Sequence, residues 1–290
     1  MQPQLTLIYR GPLSSCNYAC HYCPFAKRRE KRRELELDRQ SLQRFVSWLQ
    51  AQSEFRFQVM FTPWGEALIR RYYRDALEQL SGLPHIEKLV VQTNLSGPLG
   101  FARRCRGKLR LWATYHPQWT SGPDFLRRCQ KLYGWDIRVS VGCVGLEEHL
   151  PAILWMRQNL PADVYLWINA VKAALPGLKP EVRQRFGELD PLFELNTQAY
   201  PSRGRACRGG HEVLSIDGEG TMRTFHFHPK FLENLYHPNG SQAWRPRLCH
   251  TESCRCYIGY IHLPHLQLER TYGAGLLERI PNSGPARDRL

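Results

Sequence analysis

The sequence predicts an α/β protein built on a parallel sheet, and three observations support this fold class. Strand-like apolar segments recur between residues 5 and 170, and segments with a helical spacing of apolar residues separate them. The chain has 290 residues, of which 42% are hydrophobic, enough to fill one barrel-sized core and a small additional domain. Alternating strands and helices place ligands at the carboxyl ends of the strands, so we expect the functional site there.

Six strands are predicted in chain order. Each is a run of apolar residues, rich in β-branched and aromatic side chains, that is bounded by polar, Gly or Pro residues. The predicted strands are Leu5–Tyr9, Phe55–Phe61, Lys88–Gln92, Leu109–Thr114, Ile137–Val141 and Val164–Ala170.

Helices are predicted between these strands. In the first, Asp38 is the predicted N-cap, ahead of the apolar stripe that starts at Leu42, because a short acidic side chain can accept hydrogen bonds from the first backbone amides. The remaining predicted helices are Ile69–Leu80, Asp124–Tyr133, Glu147–Gln158 and Pro180–Phe193.

The composition of the chain changes after about residue 200, where Gly, Pro, His and Cys become frequent. Two short strand-like runs, Glu212–Ile216 and Thr221–Phe227, flank an Asp-Gly-Glu-Gly turn and predict a β-hairpin. We therefore predict a main domain over residues 1–200, a small cysteine-rich domain over 201–265 and a polar, Gly-rich tail over 266–290.

Cys16, Cys20 and Cys23 form a C-x3-C-x2-C group directly after the first predicted strand. For a chain with ten cysteines, chance alone would produce this spacing roughly 0.01 times per chain. Three thiolates can hold an iron–sulfur cubane and leave one iron open to bind a small molecule. A structural zinc site with His21 as the fourth ligand is the alternative.

The spacing of these cysteines, with the aromatic Tyr22 before the last one, resembles the signature of the radical S-adenosylmethionine (radical SAM) superfamily. The resemblance implies a partial (β/α)6 TIM-type barrel, which matches the six predicted strands. It also implies that the three cysteines hold a [4Fe-4S] cluster, that S-adenosylmethionine (AdoMet) binds its open iron, and that Tyr22 lies at this cofactor. In this family, reductive cleavage of AdoMet gives a 5'-deoxyadenosyl radical that abstracts hydrogen from the substrate.

Further residues resemble motifs of the same family. Gly65-Glu66, after the second strand, resembles the GGEP motif that meets the methionine amino group, although both flanking positions depart from it. Thr93-Asn94 ends the third strand as the family's Thr-Asn turn does. Val144 is placed where the family has an apolar residue against adenine. The resemblance therefore implies that these five residues contact AdoMet.

A second group of cysteines follows in the C-terminal region. Cys207, Cys249, Cys254 and Cys256 resemble the ligands of a SPASM or Twitch-type auxiliary iron–sulfur domain, and four thiols can saturate a cluster. The family pattern has a cysteine after the turn glycines, whereas this chain has Phe225 there. A four-cysteine cluster, a cluster with a histidine from position 226 or 228, and a zinc site are the alternatives, and we expect the first.

The net charge and the targeting features of the sequence limit the classes of partner that we expect. The net charge of +14 suits an acidic electron donor such as a flavodoxin or ferredoxin. The same charge would suit RNA, so RNA modification is the alternative enzymatic function. No RNA-binding module is recognisable, however, and we expect no nucleic-acid partner. No signal peptide or membrane-spanning apolar stretch is recognisable, so we expect a cytoplasmic protein with no membrane partner.

The function predicted from these features is that of a radical SAM enzyme acting on a peptide or on a small metabolite or cofactor precursor. Because the first strand begins at Leu5, we expect peptide recognition to need a separate partner protein. A non-catalytic iron–sulfur or zinc-binding protein is the alternative outside the enzymes. Three remaining cysteines, Cys105, Cys129 and Cys143, are expected to be ordinary thiols without a metal.

Overall fold

Strands and helices alternate through the first two thirds of the chain. The computed structural model describes residues 2–25, 29–105, 107–228 and 230–282. The strands are β1 (Gln4–Arg10), β2 (Arg56–Phe61), β3 (Ile86–Thr93), β4 (Leu109–Tyr115), β5 (Arg138–Gly145), β6 (Leu166–Ala170), β7 (Tyr200–Pro201), β8 (Ala206–Cys207), β9 (Val213–Asp217), β10 (Met222–Arg223), β11 (Arg247–Leu248) and β12 (Ser253–Cys254). The α-helices are α1 (Arg32–Ala51), α2 (Arg71–Ser81), α3 (Gly122–Tyr133), α4 (Leu150–Asn159), α5 (Pro180–Leu189), α6 (Phe193–Thr197) and α7 (Leu268–Tyr272).

The sheet has the topology that the sequence predicts. Strands β1 to β6 lie side by side in chain order, and each pairs in parallel with the next. The α/β fold class and the partial (β/α)6 TIM-type barrel are confirmed, and all six predicted strands are present with shifted ends. Because the strands are parallel, their carboxyl ends meet at one edge of the sheet.

The predicted C-terminal hairpin is present, and it extends the main sheet. Strand β9 pairs in parallel with β1, and β10 pairs antiparallel with β9. Strand β10 ends at Arg223, before the predicted end at Phe227. The chain turns at Phe225, whose carbonyl accepts a hydrogen bond from the His228 amide (2.9 Å). The hairpin therefore covers the edge of β1, which would otherwise present unpaired backbone groups.

The prediction that Asp38 caps the first helix is wrong. Helix α1 begins at Arg32, and Asp38 is fully buried inside it. Its carboxylate accepts hydrogen bonds from the Leu13 amide (3.0 Å) and from the hydroxyls of Tyr72 (2.7 Å) and Tyr73 (3.2 Å). Burial raises the pKa of Asp38 to about 6. An acidic residue beside an apolar stripe has the sequence pattern of a helix cap. Asp38 instead forms hydrogen bonds that link α1 to α2 and to the loop after β1.

We expect Asp38→Ala to lower the free energy of unfolding by about 2–4 kcal/mol, because buried donors lose their acceptor. Urea unfolding of the metal-free protein measures this. Glu36→Ala is the matched control, because Glu36 lies on the same helix in a half-exposed ion pair with Arg39. We expect that control to change stability by less than about 0.5 kcal/mol. Equal losses in the two variants would contradict the role given to Asp38.

Side chains of the strands alternate between two apolar layers. On β1, Leu7 and Tyr9 join the core beneath the helices, whereas Ile8 faces the interior of the barrel. By the same alternation, Arg10 also faces the interior. The interior cluster consists of Ile8, Met60, Val90, Trp112, Tyr165, Trp167, Val213, Ile258 and Leu277.

The sequence predicts a polar tail over 266–290, of which residues 283–290 lie outside the described ranges. Leu268 and Tyr272 on α7 join an apolar cluster with Tyr200 and Tyr260, whereas the stretch around Leu277 and Glu278 packs into the barrel. Leu277 joins the interior cluster. The Glu278 carboxylate pairs with Lys88 on β3 (3.1 Å), and the Glu278 carbonyl accepts a hydrogen bond from Ser140 on β5. Both partners lie in the first halves of their strands, so this segment fills the barrel away from the carboxyl ends. No helix in the described ranges is long and apolar enough to cross a membrane.

Candidate metal and cofactor site

A cavity of about 1010 Å³ opens at the carboxyl ends of the strands. Strand ends, the loop after β1 and the C-terminal cysteine-rich segment form its wall. Cys105, Cys129 and Cys143 lie elsewhere, buried in the core beneath the helices. All residues predicted to bind AdoMet or metal line this one cavity: Cys16, Cys20, Tyr22, Cys23, Gly65, Glu66, Thr93, Asn94, Val144, Cys207, Cys249, Cys254 and Cys256.

Side chains outside the cysteine motif hold the backbone directly ahead of it. Glu30 accepts hydrogen bonds from the backbone amides of Ser14 (2.8 Å) and Ser15 (3.1 Å). Arg70, at the start of α2, donates to the Ser15 hydroxyl (2.6 Å). The backbone ahead of Cys16 is therefore fixed before any ligand binds.

Gly65 fixes the same loop through its backbone. Its amide donates to the Leu13 carbonyl (3.0 Å), and the Glu66 amide donates to the Ser15 carbonyl (3.1 Å). A Cβ atom at position 65 would lie 2.0 Å from the Ser15 carbonyl oxygen. Only glycine permits this approach, so the GGEP-like segment and the cysteine loop form one packed unit.

Glu66 joins the ends of β2 and β3. Its buried carboxylate accepts hydrogen bonds from the Leu68 amide (2.9 Å), the Thr93 hydroxyl (2.7 Å) and the Asn94 amide (2.6 Å). Burial raises the pKa of Glu66. A carboxylate offers about four lone-pair sites, and three are in use, so one is left for a donor from a ligand. The predicted Gly-Glu and Thr-Asn motifs thus belong to one hydrogen-bonded group.

Cys16 lies within reach of two N–H donors. The Tyr18 amide is 3.3 Å from its sulfur, and the Asn94 side-chain amide is 3.5 Å away. Burial raises the pKa of Cys16 to about 11, so a bound metal would have to displace a proton at neutral pH. N–H groups directed at the sulfur favour the thiolate that forms when the metal binds.

Cys20 and Tyr22 both contact His116, a histidine that belongs to none of the predicted motifs. The Nδ1 atom of His116, which follows β4, is 2.7 Å from the Tyr22 hydroxyl and 3.5 Å from the Cys20 sulfur. The rings of His116 and Tyr22 stack with their centroids 6.0 Å apart. Burial lowers the pKa of His116 to about 4, so its imidazole is neutral at pH 7. His116 therefore positions the predicted cofactor residue Tyr22 beside a predicted metal ligand.

The four C-terminal thiols come from two short antiparallel pairings and the loops beside them. Cys207 is on β8, which pairs with β11, and Cys254 is on β12, which pairs with β7. Burial raises the pKa of Cys254 to about 12, and charges on Cys256, Cys207 and Cys249 act in the same direction. As thiolates these four groups would repel one another, so they favour a cation or cluster that neutralises them.

Phe225 stands where the resemblance to SPASM and Twitch domains implies a cysteine after the turn glycines. Its ring stacks on His262, with centroids 5.7 Å apart. It also lies against Gly209, where an added Cβ would be 2.7 Å from the phenyl ring and 3.3 Å from the Cys207 sulfur. The phenyl ring therefore supplies an apolar wall beside the C-terminal thiols.

The donor set fits iron–sulfur clusters. Thiolates are the ligands that such clusters take, and both groups of thiols face one cavity. Across the described ranges, no three His, Cys, Asp or Glu side chains converge on the position of a single metal ion. The ligands of a cubane bind different irons, so they need not converge on a point.

Comparison with known proteins adds relatives of the fold. No protein-family model matches the chain, and no curated protein matches it in sequence. Histidine-tagged anSMEcpe with bound AdoMet aligns with a TM-score of 0.52 and 12% identity, over 83% of this chain and 80% of that chain. Native anSMEcpe with bound AdoMet and the Cp18Cys peptide aligns with a TM-score of 0.51 and 13% identity, over 83% of this chain and 82% of that chain. At this identity the likeness establishes the fold: this chain has the fold of AdoMet-binding structures.

Arg10 and His116 line the cavity, but no sequence motif contains them. Arg10 is a charged residue at the last position of an apolar strand, which in a parallel sheet is where ligand-binding residues lie. That position could have identified it. His116 follows β4 in the same way, but a histidine in a Tyr-His-Pro turn gives no further signal in a single sequence.

Proposed function

We propose that this protein is a radical SAM enzyme. The observation that carries the proposal is the wall of the cavity, where the three thiols of the N-terminal motif lie beside the linked Gly-Glu and Thr-Asn segments. The fold shared with structures that contain AdoMet supports it.

In this proposal Cys16, Cys20 and Cys23 hold a [4Fe-4S] cluster. Once reduced by an external electron donor, the cluster would supply the electron that cleaves bound AdoMet to methionine and a 5'-deoxyadenosyl radical, and this radical would abstract a hydrogen atom from the substrate. The free lone pair of Glu66 accepts a hydrogen bond from the ammonium group of AdoMet. Val144, buried at the end of β5, supplies an apolar contact for adenine.

The C-terminal thiols hold a second cluster in this proposal. Cys207, Cys249, Cys254 and Cys256 provide four ligands without a histidine, which matches a fully ligated cluster. Phe225 covers this cluster, and its contact with Gly209 beside Cys207 supports that role.

The substrate is a peptide or a small molecule. The peptide bound in anSMEcpe, whose structure shares this fold, supports the first class. The strongly basic chain suits an acidic electron donor of the flavodoxin or ferredoxin type. A separate recognition protein would present a peptide substrate.

The test is anaerobic reconstitution of the full chain and of a Cys16→Ala/Cys20→Ala/Cys23→Ala variant. After reduction, electron paramagnetic resonance (EPR) spectra are recorded with and without AdoMet, and 5'-deoxyadenosine is quantified. We expect an AdoMet-dependent change of the spectrum and product formation in the wild type, and neither in the triple variant. Any signal that persists in the variant reports the C-terminal thiols.

Cys105→Ala is the control for loss of a cysteine, because this thiol is buried outside the cavity. We expect it to keep the AdoMet response and product formation. If the wild type gave no spectral response to AdoMet and no 5'-deoxyadenosine, the cysteines would serve structure and the proposal would be wrong.

A further inference from the structure

Arg10 carries a buried positive charge at the wall of the cavity. It is the last residue of β1 and is only 7% exposed. Burial of a charge is costly, so a buried guanidinium ordinarily has a carboxylate partner. No carboxylate in the described ranges forms an ion pair with it. Asp217, opposite Arg10 on β9, pairs with Arg223 instead (3.0 Å).

The hydrogen bonds of Arg10 leave donors unused. Its Nη2 donates to the Thr62 hydroxyl oxygen (3.2 Å), and the Thr62 hydroxyl donates in turn to the Gln92 side chain. Its Nε has no partner among the described residues. Because a guanidinium has five N–H donors, Arg10 can still bind an acceptor with two oxygens.

Aromatic rings surround this guanidinium. Its central carbon lies 4.3 Å from the centre of the Trp64 ring, 5.6 Å from Phe227 and 5.9 Å from Phe25. Such cation–π contacts fix the orientation of the guanidinium. Phe25 and Phe227 are 42% and 59% exposed, so apolar surface lies directly beside the charge. A ligand that matches this wall has one carboxylate on an apolar or aromatic body.

Arg10 is not hydrogen-bonded to the predicted AdoMet contacts, although its aromatic neighbour Trp64 directly precedes Gly65. Hydrogen bonds join Glu66 to Thr93 and Asn94, and Asn94 to Cys16, and Arg10 takes part in none of them. Burial lowers the pKa of Arg10 to about 10. Phe227, from the C-terminal part of the chain, is 5.6 Å from the guanidinium, so an anion on Arg10 would lie beside that part of the cavity wall.

We propose that Arg10 binds a carboxylate group of the substrate, which is an organic acid with an apolar or aromatic body. This inference rests on the proposed function, in which the cavity binds AdoMet and, as its second ligand, the substrate. One planar guanidinium matches the single charge and the paired oxygens of a carboxylate.

The test compares phenylacetate with its neutral analogue phenylacetamide. Both are titrated calorimetrically into reconstituted full-length protein with AdoMet present and without reductant. We expect the acid to bind the wild type at least tenfold more tightly than the amide. In Arg10→Gln this preference should fall to below about twofold, and in Arg10→Lys it should be intermediate. Arg39→Gln, which removes an exposed arginine on α1, should keep the full preference.

Three outcomes would overturn the proposal. If the wild type bound phenylacetate and phenylacetamide equally tightly, the cavity would have no anion site. If Arg10→Gln kept the preference for phenylacetate, the anion site would lie elsewhere. Weaker AdoMet binding in Arg10→Gln would assign Arg10 to the carboxylate of AdoMet. Amide binding that is unchanged in Arg10→Gln shows that the variant is folded. Because these titrations need no reduction of a cluster, their result is independent of the EPR and 5'-deoxyadenosine assays of the proposed function.

Discussion

Gly65→Ala is expected to reduce AdoMet cleavage by at least about 100-fold, the scale of loss that follows a 1 Å misplacement at a reacting centre. The new Cβ would lie 2.0 Å from the Ser15 carbonyl oxygen and 2.7 Å from its carbonyl carbon. These are backbone atoms next to Cys16, so no flexible side chain can move away, and the cysteine loop must shift. The measurement is the rate of 5'-deoxyadenosine formation, with iron content determined on the same samples.

Gly187→Ala is the matched control for this substitution. Gly187 lies within α5, and nothing is within 4 Å of the position of an added Cβ. Alanine in a helix interior is more favourable than glycine, so we expect stability to rise by about 0.5–1 kcal/mol. Its AdoMet cleavage should match that of the wild type. Wild-type activity in Gly65→Ala would mean that the loop does not depend on this close approach.

Glu66→Ala is expected to lower the free energy of unfolding by at least about 3 kcal/mol, because three buried donors lose their acceptor at about 1–3 kcal/mol each. Those donors are the Leu68 and Asn94 amides and the Thr93 hydroxyl. Denaturant unfolding of the metal-free protein measures the loss. Glu188→Ala is the control, because Glu188 accepts its hydrogen bonds from Gln184 and Arg185 on the exposed face of α5, and we expect less than about 0.5 kcal/mol. A loss below about 1 kcal/mol in Glu66→Ala would show that the Glu66 network contributes little.

The pH dependence of stability separates the charge of Glu66 from its hydrogen bonds. Burial raises its pKa above the ordinary value of 4.5 in the folded state. The folded protein therefore binds a proton more tightly than the unfolded chain, and this contribution to stability is lost as the pH rises through the folded pKa. Glutamine does not titrate, so we expect the stability of Glu66→Gln to lack this pH-dependent loss. As the pH rises from 4.5, the variant should therefore become more stable relative to the wild type.

Local patterns in the sequence predict the scaffold well. The six barrel strands follow from runs of apolar residues, and the cysteine spacing places predicted metal ligands at the carboxyl ends of those strands. The predicted metal and AdoMet residues line one cavity, because parallel strands bring separate loops to the same edge.

Long-range partners were the part that the sequence could not predict. Asp38 has the local pattern of a helix cap, and only the positions of Tyr72 and Tyr73 show that it is a buried acceptor. The segment 266–282 has no apolar period because Leu268 and Tyr272 lie on a helix of only five residues, whereas Leu277 fills the barrel interior. The sequence can place Arg10 at a strand end. It cannot show that Arg10 has no carboxylate partner among the described residues, because that depends on the pairing of Asp217 with Arg223.

The pairing of β9 with β1 determines when the sheet can be completed during synthesis. Strand β1 leaves the ribosome first, and its outer partner begins only at Val213. Contacts between such distant segments form late, and until then the edge of β1 can pair with strands of other chains. A chain terminated before Val213 would therefore tend to aggregate as well as lose the cysteines that follow it.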